Sequence, residues 1–326
     1  MIRVGLVGAG RVAEVHAHAL AQIPNMTIAG VQDVDLKRAE SRAREWGVPH
    51  HKTLESLVTS PDVDALLVLT HVDSHLDVAE RAIAAGKHVF IEKPVGREPD
   101  EIRRTATLAE RQGVVAMPGH NYAYLPEFLR MKRLADAGDL GDLRALFITY
   151  VIEHPEELAK DYSGVIEEVM IHHAYLALLL LGPPRRVMAG ATEQGWRDHA
   201  EEDQAWFTLD YGRASAHAFC TFGVDDYSNS PWSFVVKLLG TEGTATVDFR
   251  ASVFRRALGT LPIAYAPYEE SYKNELESFA RAIAGDERLL STMEDAAVAA
   301  GVIAAAQESR AEGRFVERRT SAGVRW

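Results

Sequence analysis

The chain has 326 residues, more than one ordinary core needs and suited to two domains of about 100–200 residues each. A composition of 47% hydrophobic and 25% charged residues is that of a globular protein, and a net charge of −12 argues against a nucleic-acid partner because such a surface repels phosphate. The single cysteine, Cys220, excludes an intrachain disulfide framework and a cysteine-built zinc site; within AHAFCTF it reads as a packed thiol.

The start, MIRVGLVGAG, enters a strand pattern without a charged n-region, apolar leader or cleavage site. The longest apolar run, AYLALLLLG at 174–182, is too short for a bilayer, so a cytoplasmic protein with no membrane partner is expected. IRVGLV (2–7) reads as a strand, 11–23 as a helix, MTIAGVQD (26–33) as a strand, and 35–47 as a helix stopping at Gly47. After a short element at 52–58 come a buried strand (63–70), a helix (74–86), a strand (87–92), a helix stopping at Gly113 (98–113) and a strand (114–119). Strands without polar alternation, separated by amphipathic helices, imply a parallel sheet covered on both faces, a doubly wound α/β domain over 1–121.

Beyond 121 the rhythm changes. A helix at 125–137 leads to a long strand, LRALFITYVIEH (143–154), and one helix is read over 163–184, with Ser163 as its cap and Gly182 in its last turn. Strand-like runs at 185–194, 203–211, 213–223, 231–239 and 243–249 follow in close succession and should pair antiparallel. Helices at 271–285 and 293–312 close the chain. Residues 122–326 are thus expected to form an α+β domain on a large, mostly antiparallel open sheet.

GLVGAGRVAEV places Gly8, Gly10 and Ala13 in a G-x-G-x-x-A pattern between a strand and a helix. Gly8 permits the tight turn, Gly10 lets the backbone approach a pyrophosphate, and Ala13 lets the helix lie close to the strand. Arg11 and Val12 open that helix, where free N–H groups and the positive dipole end favour phosphate. Asp33, at the end of the second strand, can accept both adenosine ribose hydroxyls and would repel a 2′-phosphate. NAD is therefore expected; Lys37 and Arg38, read mainly as a solvated helix face, leave NADP open.

GAGRVAEVHAHAL and LTHVDSHLDVAERAIAAGKHVFIEKPVG resemble the Gfo/Idh/MocA oxidoreductases, as do Gly138 and Gly141 before the long strand, GTEG at 240–243, and the closing stretch beginning YKNELESFARAIAGD. The resemblance covers nearly the whole chain. It implies NAD(P)-linked oxidation or reduction of sugars, cyclitols and related polyols, and a homodimer or homotetramer formed through the C-terminal sheet. It makes Lys93 of the EKP motif catalytic, puts Thr70 and Glu92 beside the cofactor, and sets Asn121 near the nicotinamide. A lysine near the nicotinamide can hydrogen-bond the reacting oxygen and pass a proton to or from it.

The family's catalytic helix reads G-x-L-x-D-x-G-x-H-x-x-D, and GVIEEVMIHHAY (164–175) aligns with it. Its Asp becomes Glu168, its His is His172, its Gly becomes Met170 and its last Asp becomes Tyr175. Four residues apart on a helix, Glu168 would orient His172, which takes the alcohol proton. Ala123 in YAYLP stands where the family has arginine, so substrate recognition is expected to depart from the family's. Tyr122, His154, Tyr162 and Tyr175 are candidate substrate contacts; His120, Tyr124 and His173 lie near the same motifs. His172 and His173 point about 100° apart on a helix, so no metal is expected. His16, His18, His50 and His51 lack a supporting pattern and read as structural or exposed. The leading expectation is a dehydrogenase or reductase. The alternatives are an enzyme that recycles bound NAD during sugar elimination or hydrolysis, and a non-catalytic NAD-binding regulator.

Overall fold

A computed structural model describes residues 1–153, 163–193, 202–224, 233–248, 252–256, 259–263 and 268–318. The chain forms two compact units: Met1–Tyr124 with Tyr268–Ala297, and Leu125–Pro267 with Val298–Trp326.

The first unit is built on six parallel strands, β1 (Ile2–Val7), β2 (Met26–Gln32), β3 (His50–His51), β4 (Ala65–Val68), β5 (His88–Ile91) and β6 (Ala116–Pro118), in the order β3-β2-β1-β4-β5-β6. Helices α1 (Arg11–Leu20), α2 (Leu36–Trp46), α3 (Leu54–Val58), α4 (Val72–Ala84) and α5 (Pro99–Gln112) connect them. Val4, Leu6, Leu66, Leu67, Val89 and Phe90 are fully buried, as expected of strands covered on both faces. The order reverses between β1 and β4, the switch point where doubly wound sheets bind ligands beyond the strands' carboxyl ends. The Asp35 side chain caps α2 by accepting from Lys37 and Arg38 N–H, and left-handed Gly47 stops it.

Among the described residues the second unit holds nine strands: β7 (Leu143–Val151), β8 (Arg186–Thr192), β9 (Gln204–Asp210), β10 (Ser215–Thr221), β11 (Ser233–Gly240), β12 (Gly243–Asp248), β13 (Ser252–Arg256), β14 (Gly259–Ile263) and β15 (Val316–Glu317). Their order is β14-β13-β12-β11-β7-β10-β9-β8-β15, antiparallel throughout except for β7 with β10. Side chains alternate strictly: Leu146, Ile148 and Tyr150 of β7 are buried while Phe147 between them is exposed. Among the described residues, three helices belong to this unit ahead of β8: α6 (Pro126–Asp136), α7 (Val165–Glu168) and α8 (Met170–Leu181). Helix α8 lies on β7 and β10, and its near-continuous apolar sequence matches burial on almost every side.

The expected single helix over 163–184 is interrupted at Val169, where φ is −116° and ψ −42°. The start of α7 is served not by Ser163 but by a residue distant in sequence: Glu202, 1% exposed, accepts from the Ile166 N–H and pairs with Arg310 at 2.6 Å. Gly164 is required there, with φ +106° and Glu202 Oε1 only 2.7 Å from where a Cβ would sit.

Helices α9 (Tyr268–Ala284) and α10 (Met293–Glu312) follow the last long strands. The sequence pattern groups all of 122–326 together. Instead α9 belongs to the first unit, where it packs on α1 and on the 3-10 turn Asn121–Tyr124. Cys220 is buried and free, and burial pushes its thiol pKa up. Among the described residues no helix is long and apolar enough to cross a membrane, and no group of three or more His, Cys, Asp or Glu is placed to hold a metal ion.

Candidate active site

Beyond the carboxyl ends of β1, β2 and β4 lies a cleft of about 600 Å³, lined by Gly8, Gly10, Asp33, Arg38, Thr70 and Ser74 among others. Gly8 has φ +97°, and a Cβ there would sit 2.5 Å from the Leu69 carbonyl oxygen. At Gly10 a Cβ would meet nothing within 4 Å, so the backbone there stands open to the cleft. Gly10 is also the N-cap of α1, and no side chain caps it. The first-turn amides, with Arg11 and Val12 leading, are thus left to an anion. These features fit the pyrophosphate of a dinucleotide.

Asp33 is 7% exposed and holds the glycine loop: Oδ2 accepts from Ala9 N–H at 2.8 Å and Oδ1 from Asp35 N–H at 2.7 Å. Each carboxylate oxygen keeps a second lone pair for a ribose hydroxyl. Arg38 lies 3.7 Å from Asp33 and lines the cleft, so it is more than the solvated helix face read from the sequence. Ser74, Asp77, Val78 and Arg81 also line the cleft. They were missed, although their spacing of three and four marks one face of α4.

Strand β5 runs into Glu92, Lys93 and Pro94, with a cis bond before the proline. Glu92 is not among the residues that line that cleft. Its Oε1 meets His16 Nε2 at 2.9 Å, and its Oε2 accepts from the Lys93 N–H at 2.8 Å. Burial pushes the Glu92 pKa up, but His16 and the charge of Lys93 outweigh it, and the carboxyl stays below its ordinary value. His16, read as structural or exposed, is the fully buried partner of Glu92, set edge-on to Phe90 and Tyr272. Its pairing spans 76 residues and leaves no local signal in the sequence. A histidine that the sequence pattern does not single out is His75, 1% exposed on the first turn of α4. Its Nδ1 lies 2.8 Å from the Pro94 carbonyl and its Nε2 2.9 Å from that of Thr70.

Asn121 is buried and donates to Ser271 Oγ at 3.2 Å, and the ring of Tyr122, also buried, lies against Tyr268 at 5.4 Å. His120 pairs with Ser291 Oγ at 2.6 Å, and burial pushes its pKa down to about 3, so it is neutral. These three residues therefore meet the wall that α9 and the segment after it build.

In the second unit His172 is 6% exposed, and its Nδ1 meets the hydroxyl of fully buried Tyr175 at 2.7 Å. Glu168 accepts from Ser163 Oγ at 3.2 Å. The break at Val169 puts Glu168 and His172 on separate helices, and the contact at Nδ1 comes from Tyr175, one turn along α8. Met170, aligned with a family glycine, is fully buried. His173 is buried against Phe207 and Tyr150, with its pKa pushed down to about 3 by burial, and is a packing residue. His154 and Tyr162 lie outside the described residues.

The family model described as an oxidoreductase family with an NAD-binding Rossmann fold matches residues 2–120, and the model of the GFO/IDH/MocA C-terminal domain matches 128–246. An inositol 2-dehydrogenase of Rhizobium meliloti (strain 1021) is 27% identical over 334 residues, spanning 97% of this chain and 98% of its own. A scyllo-inositol 2-dehydrogenase (NAD(+)) of Bacillus subtilis (strain 168) is 24% identical over 335 residues, spanning 97% and 96%. The solved structure of an oxidoreductase from Agrobacterium radiobacter, in complex with NAD+, L-tartaric acid and magnesium, shares the fold with a TM-score of 0.87 at 19% identity, covering 97% of this chain and 98% of that one. The chain belongs to the Gfo/Idh/MocA family of NAD-binding oxidoreductases. Its relatives along the full length include dehydrogenases of inositols.

Proposed function

We propose that this enzyme is an NAD-dependent dehydrogenase acting on a secondary alcohol of a cyclitol or sugar, with the first unit carrying the cofactor and the second serving substrate binding and oligomerisation. The observation that supports it best is the tie between cleft and lysine: Thr70 lines the cofactor cleft, and His75 meets both its carbonyl and that of Pro94, the residue after Lys93. Bound NAD+ supplies the hydride acceptor. Lys93 hydrogen-bonds the reacting oxygen and stabilises the alkoxide character that develops there. His172 takes up the alcohol proton through Nε2 while Tyr175 holds Nδ1. Glu168 supplies negative charge at the preceding turn.

Assaying the protein with NAD+ against a panel of inositols, aldoses and ketoses tests this reading. NADH should accumulate with at least one cyclitol or sugar. Product without net NADH would instead indicate recycled NAD, and no turnover alongside tight NAD binding would indicate a regulator.

NAD is chosen over NADP by Asp33, whose carboxylate lies where a 2′-phosphate would meet it. Asp33→Ser, with Arg38 left in place, should raise kcat/KM for NADP+ by about tenfold or more, in steady-state assays with either cofactor.

The open face of the second sheet exposes Phe147 (41%) and Trp206 (42%), and Phe147 stacks on His217 beside it. A second copy of this chain covers that face, giving a dimer or tetramer. Trp206→Glu should shift the mass measured by light scattering to a smaller species; an unchanged mass rejects this interface. The reaction is placed in the cytoplasm, where NAD is held.

A further inference from the structure

His75 is not used by the proposed chemistry, yet it is buried and spends both ring nitrogens on main-chain carbonyls. One belongs to Thr70, in the wall of the cofactor cleft; the other to Pro94, next to Lys93. On the other side of the same segment, Glu92 holds the Lys93 N–H and reaches His16 on α1, the helix whose first turn opens at the glycine loop. The lysine segment is thus fastened at two peptide groups, and each fastening ends on an element that builds the cofactor cleft.

We propose that His75 is a positioning residue that couples the cofactor cleft to the placement of Lys93, bracing the Thr70 loop against the Lys93–Pro94 segment. The coupling to Lys93 rests on the proposed dehydrogenase chemistry of that lysine; the coupling to the cleft does not. Carbonyl oxygens only accept, so a neutral imidazole donates to one of them and turns a bare nitrogen toward the other. Only the imidazolium donates to both. Burial lowers the His75 pKa below the ordinary histidine value, against the opposing push of the two carbonyls and of Glu92; His71 adds to the lowering. The brace therefore has one bond at neutral pH and gains its second as pH falls through that lowered pKa. Cofactor binding that relies on the brace tightens in the same direction.

The test measures NADH affinity by fluorescence titration across pH, together with thermal unfolding and trace acetylation of Lys93 read by mass spectrometry. His75→Phe keeps the ring and removes both donors. It should melt cooperatively, bind NADH about tenfold more weakly or worse, and lose the acid-side strengthening seen in the wild type. Its Lys93 should acetylate at the same rate with and without saturating NADH, whereas the wild-type lysine should change rate. His75→Gln keeps an N–H donor that does not titrate, so it should recover part of the affinity with a flat pH profile. Wild-type affinity and pH profile in His75→Phe would overturn the proposal. Should that variant fail to fold, an acid-side strengthening retained in His75→Gln would overturn it as well. No readout uses the substrate, so a failed brace leaves the dehydrogenase reading standing, and a failed substrate panel leaves the brace testable.

Discussion

Replacing Lys93 with Ala is expected to lower kcat by about 10²–10⁴-fold while NADH still binds. The main chain at this position is held independently of the side chain, through the Lys93 N–H on Glu92 and the Pro94 carbonyl on His75. Removing the ammonium therefore leaves both main-chain bonds in place while deleting the group that meets the reacting oxygen. Lys93→Arg should not restore turnover, because the planar guanidinium is wider than an ammonium and cannot present its charge to the reacting oxygen in the same geometry. The measurement is steady-state turnover paired with NADH titration of the same samples. A loss of NADH binding equal to the loss of kcat would mean that the lysine serves the cofactor instead of the chemistry.

The glycines of the first loop are expected to fail in two different ways. Gly8→Ala forces a Cβ into a left-handed backbone and to within 2.5 Å of the Leu69 carbonyl oxygen and 3.1 Å of the Thr70 nitrogen. Those atoms belong to the chain leaving β4 and cannot swing aside as a side chain would. The strain costs about 1–3 kcal/mol before any movement of β4, so both the melting temperature and NADH affinity should fall, affinity by about 100-fold. Gly10→Ala places its Cβ in open space, so stability should be kept. That Cβ then stands where the pyrophosphate must approach, and NADH affinity alone should drop. Denaturation and NADH titration of both variants separate the cases. If Gly10→Ala binds NADH as the wild type does, the pyrophosphate lies elsewhere.

What the sequence made legible follows from how local each signal is. The parallel sheet is written in short windows and is found as read; the glycine loop and Asp33 are equally local signals, and they line one cleft. The bounds of α10 were also readable, because Thr292 and Asp295 cap it reciprocally: the Thr292 hydroxyl accepts from Asp295 N–H at 3.2 Å and Asp295 accepts from Thr292 N–H at 2.8 Å. Several features that the sequence did not show depend on partners outside any short window. Glu202 reaches 36 residues back to serve the start of α7, so Ser163 looked like the cap. His16 and Glu92 are joined through the fold alone, and the partners of His75 are carbonyls, which no side-chain pattern reports. Glu168 and His172 have the spacing of a helical pair, but a break at Val169 sets them on separate helices, and Tyr175 meets Nδ1 of His172. The assignment of α9 to the first unit has the same origin, since its amphipathic pattern says that it packs but not on what.

Direct transfer of hydride from a carbinol carbon to the nicotinamide is tested most closely by isotope. The protein is incubated with NAD+ and a panel of cyclitols and sugars deuterated at their carbinol carbons, and the nicotinamide is read by mass spectrometry. Deuterium should appear on the reduced cofactor in proportion to the ketone formed, and Lys93→Ala should abolish both. Ketone without labelled cofactor, or undiminished labelling in Lys93→Ala, would contradict hydride acceptance by the nicotinamide and the part of Lys93 in the chemistry.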